Sequence, residues 1–164
     1  MERMYAPWRF AYVTGEKTES GCVFCNRLEC DEQENFVLHR GDHWYLILNR
    51  YPYNNGHILL VLGRHSATLA GCTSAELAEM GNLLSVMEKA LLEAFQPQGI
   101  NCGYNGGQSA GAGIPEHLHL HMLPRWSGDT NFMSTIGQTR IMPQTLEQSY
   151  ERLLPVVRRL IVDS

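Results

Sequence analysis

The stretch HLHLHMLPR, residues 117 to 125, restricts this chain more than any other. Histidine alternates with leucine at the period of a β-strand, where successive side chains point to opposite faces. His117, His119 and His121 therefore share one face, with neighbours about 6.6–7 Å apart. Leu118, Leu120 and Leu123 go to the other face or the core. Solvent-facing strand sides are usually filled by Thr, Lys, Glu and Ser, so a row of imidazoles needs a chemical reason. One metal ion is not enough of a reason. Three same-face positions on a straight strand spread too far for all three rings to converge at bonds of about 2.0–2.1 Å. One or two can ligate; otherwise the row suits acid–base and nucleophilic work on an extended substrate.

The rest of the chain supplies the frame for that strand. FVLHR (36–40) and HWYLILNR (43–50) read as strands joined by a turn at Gly41-Asp42. YPYNNG (51–56) is a loop, and HILLVLGRH (57–65) a third strand, apolar on both faces and so buried. In residues 73–95, Thr73 and Glu76 form a capping box, and Leu77, Met80, Leu84, Met87, Leu91 and Ala94 recur at helical spacing. Pro97 and Gly99 stop that helix. GINCGYN (99–105) is a fourth strand, GGQSAGAGIPE (106–116) a glycine-rich loop, and HLHLHMLPRW (117–126) the fifth strand. Residues 127–144 read as a loop extension, and 145–162 as a helix broken or kinked at Pro155. The expected fold is α+β over a single domain, 1–164. An antiparallel sheet of about five strands carries one long helix across it and a C-terminal helical extension. The core spans about 21–133, flanked by 1–20 and 134–164.

Composition narrows the partners. With 44% hydrophobic residues the chain can fill a core, and a net charge of −4 gives no basic footprint for nucleic acid. No apolar run approaches the roughly 18 residues that span a bilayer, and the chain opens without a signal segment, so a cytoplasmic protein with no membrane contact is expected. An anionic ligand must be held by local features. The glycine-rich loop offers them, because glycines let successive backbone amides approach a phosphate. Five cysteines (22, 25, 30, 72 and 102) make no disulfide framework; Cys22 and Cys25 in C-x-x-C suggest metal or redox chemistry. The other three read as core or incidental.

Three segments together resemble the histidine triad (HIT) superfamily. They are His-x-His-x-His with two apolar residues after it (117–123), LNRYPYNNGHILLVLGRH (48–65) with Asn49 eight residues before His57, and GCVFC (21–25). The resemblance runs from about 21 to 133 and implies a HIT-like fold, a nucleotide substrate, no organic cofactor and a homodimer paired through the long helix and an adjoining strand. It makes His119 the nucleophile that attacks an α-phosphate, giving a nucleotidyl-histidine intermediate. His121 and His57 become the groups that stabilise charge on the transferred phosphate. It also implies substrate contacts from Asn49, Asn105 and the loop backbone at Gly107, Ala112 and Gly113. Some members bind a structural zinc through positions matched here by Cys22, Cys25, His65 and His117. One departure counts against the phosphoramidase branch, which has a serine three residues before the first histidine. Ile114 stands there, and Ser109 lies further back.

LPRWSGDTNFM (123–133) is similar to the flank of bacterial members that act on diadenosine tetraphosphate, the phosphorylase-like ones especially. Trp126 within it either stacks on a base or fills the core or a dimer interface. The expected function is cleavage of dinucleoside polyphosphates at the α-phosphate, with water or phosphate as acceptor. The competing readings are adenosine phosphoramidate hydrolysis and non-catalytic nucleotide sensing.

Overall fold

Five strands form one antiparallel sheet in the order β1-β2-β3-β5-β4. They are β1 (Val37–Arg40), β2 (Trp44–Leu48), β3 (Ile58–Leu62), β4 (Gly99–Gly103) and β5 (His119–Arg125). The structure is a computed structural model, and it describes residues 21–28, 31–131, 133, 136–137 and 142–163. The expectations for residues 1–20, for Cys30 and for most of 134–141 lie outside the described residues. Every residue of β2 and β3 is at most 4% exposed, as the continuous apolar runs require of central strands covered on both faces.

Register decides what each face of β5 meets. Leu59 pairs with His121 and Val61 with His119. Residues directly opposite share a face, so the histidine face is also the face of Leu59 and Val61. They pack with Phe24, Tyr45 and Ile47 in a small apolar cluster. The other face carries Leu118, Leu120 and Met122 into the main core beneath the helices. Leu123 was expected there and is not. Its odd parity puts it beside His121, and Met122 takes its place in the core. The strand also begins two residues later than expected, at His119, leaving His117 in the bend that precedes it.

Three helices flank the sheet among the described residues: α1 (Val23–Leu28), α2 (Ser74–Phe95) and α3 (Leu146–Val162). The capping box of α2 is present as expected. Its buried stripe is rotated from the expected one: Leu83, Val86, Met87, Ala90, Leu91 and Ala94 are buried, while Leu77 is 39% exposed. Glu76 explains the shift. Its carboxylate pairs with Arg64 at 2.6 Å and its carbonyl accepts from Trp44 Nε1 at 2.8 Å, so the first turn faces inward through a satisfied polar residue. Pro155 neither breaks nor ends α3, which continues to Val162. Proline removes one amide donor, and here the orphaned carbonyl belongs to Glu151, which like Pro155 faces water. Tyr150, Leu153 and Val157 hold the opposite side in the core, and Tyr150 Oη donates to the Val37 carbonyl.

The β1–β2 connection takes in His43 besides Gly41 and Asp42. Glycine leaves room there for the Glu79 carboxylate, which accepts from the His43 amide at 2.9 Å. A Cβ would meet Glu79 Oε1 at 2.0 Å and the Trp44 carbonyl at 3.1 Å. The short helix α1 was not expected from CVFCNRL. Tyr45 Oη donates to the Phe24 carbonyl at 2.9 Å and Arg40 Nη1 to the Leu28 carbonyl at 2.8 Å, so side chains of β1 and β2 cap its backbone. No helix among the described residues is long and apolar enough to cross a membrane.

Candidate functional site

Hydrogen-bond partners fix the protonation of each ring in the histidine row. His119 Nδ1 lies 2.8 Å from the His117 carbonyl, which can only accept. Nδ1 therefore carries the proton and Nε2 the lone pair. His57 Nδ1 accepts from the Tyr53 amide at 3.1 Å, so His57 carries its proton on Nε2 and donates to His121 Nδ1 at 3.0 Å. That leaves Nε2–H as the remaining donor of His121. Two adjacent rings of one row thus present opposite faces of imidazole chemistry: a lone pair on His119 and a donor on His121, with centroids 5.0 Å apart.

Burial keeps the rings neutral. It pulls His57 down to about 3, with His121 and His119 nearby adding to the effect, and it pulls His121 down to about 4. It also lowers His119, although the His117 carbonyl opposes the shift. His57 has a consequence for stability. Its unfolded form charges near pH 6.5 and its folded form resists charging to about 3, so stability is lost as pH falls from 6.5 towards 3. Between pH 7 and pH 4 this amounts to about 3 kcal/mol. Denaturant unfolding at both pH values is expected to show a shallower acid loss for His57→Gln than for the wild type. Equal losses would mean that His57 charges freely in the fold.

The loop before β3 aims His57. Asn49 Oδ1 accepts from the Tyr51 amide, and its Nδ2 lies 3.3 Å from His57 Nδ1. Asn54 Nδ2 donates to the Pro124 carbonyl and to Asp129 Oδ2, tying the loop to the end of β5. Asp129, with its side chain 9% exposed, also takes both guanidinium bonds of Arg125 (2.7 and 2.9 Å) and the Trp126 amide. Arg125 holds its carboxyl far below the usual carboxylate range. Asp129→Ala would strand these donors, and we expect about 2–4 kcal/mol of destabilisation. Thermal unfolding measures it; a loss under 1 kcal/mol would show the network to be dispensable.

At the other end of the row His117 is anchored to the end of β3. Its Nε2–H donates to the Leu62 carbonyl at 2.6 Å, so Nδ1 is the lone-pair nitrogen. Cys22 Sγ lies 3.2 Å from it and Cys25 Sγ 3.6 Å, and His65 Nδ1 is 3.4 Å from Cys25 Sγ. The four ligand atoms all lie within 4.8 Å of one another. A tetrahedron built on zinc bonds of about 2.0–2.3 Å has edges of about 3.3–3.8 Å, so three of the measured separations come close to it. The donor set fits a metal, and the one ring N–H of His117 is held by a carbonyl, as is usual for ligating imidazoles. Phe24, between the two cysteines, sets its ring 4.9 Å from His119 and 5.4 Å from His117.

An open groove of about 220 Å³ lies beyond His121, lined by Tyr53, Tyr104, Asn105 and Leu123 among others. The structure brings His57, His119, His121 and Asn105 around this end. Gly107, Ala112 and Gly113 lie in the preceding loop and do not line the groove. The Ala112 amide donates to the Gly107 carbonyl, and Gly107 takes the positive φ of 88° that favours glycine. Trp126 packs edge-on against Phe95, 6.5 Å between centroids. The sequence reading missed Tyr53, Asn54, Phe24, Tyr104 and Asp129. Only the loop composition of YPYNNG hinted at the first two, and nothing local marks the others.

The sequence profile of the HIT domain matches residues 31–128. An AP-4-A phosphorylase of Mycobacterium tuberculosis is 33% identical over 162 residues, covering 94% of this chain and 83% of its own. A zinc-bound histidine triad family protein from Mycobacterium smegmatis superimposes with a TM-score of 0.69 at 24% identity, over 87% of this chain and 97% of its own. A hypothetical histidine triad nucleotide-binding protein from Sulfolobus tokodaii gives 0.65 at 26% identity, over 87% and 93%.

Proposed function

Since this chain belongs to the HIT domain family, we infer that it cleaves dinucleoside polyphosphates at an α-phosphate through a nucleotidyl-His119 intermediate. One observation carries the reading. The His117 carbonyl holds the proton of His119 on Nδ1 and so frees Nε2 for attack. In the first step Nε2 bonds to the α-phosphorus and the bond to the bridging oxygen breaks. The departing polyphosphate keeps the electron pair, and the His121 Nε2–H donates to that oxygen as charge develops. His57 holds His121 in the tautomer that can donate. In the second step an acceptor oxygen attacks the phosphorus and the P–N bond breaks, returning His119.

Inorganic phosphate is the acceptor we favour, because the relative at 33% identity is an AP-4-A phosphorylase. Asn105 and the loop backbone at Gly107 and Gly113 belong to this reading as phosphate contacts, and Asn49 as the residue that supports His57 or reaches the ribose. Cys22, Cys25, His65 and His117 would hold zinc in a closed, structural site. Four protein ligands leave no position for a reacting water, so the ion would supply shape rather than chemistry. A homodimer completes the reading.

The test is a product assay on diadenosine tetraphosphate. ADP plus ATP formed only when phosphate is present supports the reading as stated. AMP plus ATP formed in its absence keeps the intermediate and replaces the acceptor by water. No turnover under either condition, with tight binding, would make the protein a sensor.

A further inference from the structure

We propose that the groove beside His121 seats the second nucleoside of the substrate, the one that departs with the polyphosphate, with Tyr53 and Tyr104 as its stacking surfaces. The proposal rests on the dinucleotide reading above and adds where the second half goes and what selects it.

The row of histidines is closed at one end and open at the other. Phe24 and the Cys22–Cys25–His65–His117 cluster block the His117 end. At the His121 end the surface opens into the groove. The donor that meets a leaving oxygen must stand on the leaving side of the phosphorus, and His121 is that donor. What leaves is therefore directed into this groove. At about 220 Å³ the space is below the range of about 300–1,000 Å³ usual for a whole drug-sized ligand, so it takes one part of the substrate.

Chemistry says which part. None of the lining side chains is charged, so nothing there neutralises the charge of a terminal phosphate. The lining instead offers ring faces and amides. Tyr53 is 50% exposed and Tyr104 44%, among the most exposed large side chains described. Tyr53 lies flat against His121, 14° between planes and 5.7 Å between centroids, which orients its ring along the row. Tyr104 leans over Gly106, where a Cβ would come within 3.2 Å of its ring. Glycine there lets the ring lie down against the backbone. Asn105 lines the same groove as His121 and can donate to the intervening phosphates. A flat, neutral, aromatic group with polar edges fits these surfaces, and a nucleobase is such a group.

Two substrates separate this proposal from the one it rests on: diadenosine tetraphosphate, and adenosine tetraphosphate, which lacks the second nucleoside. The wild type is expected to prefer the first by tenfold or more in kcat/KM. Tyr104→Ala is expected to lower kcat/KM for diadenosine tetraphosphate about tenfold, mostly through KM, and to leave adenosine tetraphosphate unchanged. Tyr104→Phe is expected to retain the preference. Tyr104 is exposed and outside the reacting groups, so the variant keeps its fold. Equal losses on both substrates, or no loss on either, would overturn the seat while leaving the function intact. Wild-type protein that turns over neither substrate would overturn both.

Discussion

Replacing His119 by alanine is expected to cut turnover of diadenosine tetraphosphate by about 10⁴-fold or more, with binding retained. The size follows from what is removed. Without Nε2 there is no covalent intermediate, and the two easier displacements become one direct attack that nothing in the site is built to activate. Binding survives because the aromatic and amide contacts do not involve Nε2. His119→Ala also separates the nucleophile from its neighbours: His57 and His121 keep their hydrogen bond in the variant, so any remaining rate reports what they do alone. Denaturing wild-type protein at alkaline pH, where a P–N bond survives, with α-labelled substrate should trap label on the chain, and the variant should trap none. Activity within tenfold of wild type would exclude the covalent route and leave the row without a nucleophile.

Removing metal is expected to have the second largest effect. Structural zinc is worth about 10–16 kcal/mol in peptides that have no other core. This chain has two apolar clusters of its own, so the expected loss is smaller, about 4 kcal/mol. For a chain of this length that is a fall of about 10 °C in Tm. The damage should concentrate at α1, whose six residues are too few to hold a helix unaided. Protein purified without a histidine tag should contain stoichiometric zinc. A chelator should lower Tm, and added zinc should restore it. Metal-free protein with a Tm indifferent to chelator would return Cys22 and Cys25 to ordinary packing.

Much of this architecture was readable in the chain, and for different reasons in different places. β3 was evident because a short apolar run after the YPYNNG turn is too brief for a helix and fits a strand covered on both sides. The start of α2 was evident because the capping box is local chemistry, complete within four residues. The histidine face followed from parity alone. What failed depended on contacts between distant parts. The rotation of α2 comes from Arg64 and Trp44 meeting Glu76. The helix over 145–162 was read correctly, and Pro155, which faces water, does not break it. Asp129 was invisible because its partners Asn54 and Arg125 come from different elements. Tyr53 and Tyr104 escaped because an exposed tyrosine has no period, and only the groove between them gives it meaning.

The Cys22–Cys25–His65–His117 cluster and His119 meet at a single residue, yet they draw on different atoms of it. His117 turns its side chain to the thiol of Cys22 and gives His119 its main-chain carbonyl. Every residue at position 117 brings that carbonyl. A descendant of this chain could lose both thiols and the imidazole and still present the lone pair of His119, provided the backbone kept its course. The cluster and the lone pair of His119 can therefore diverge separately. The proton that matters most is placed by the path of the chain, which substitution can bend but cannot delete.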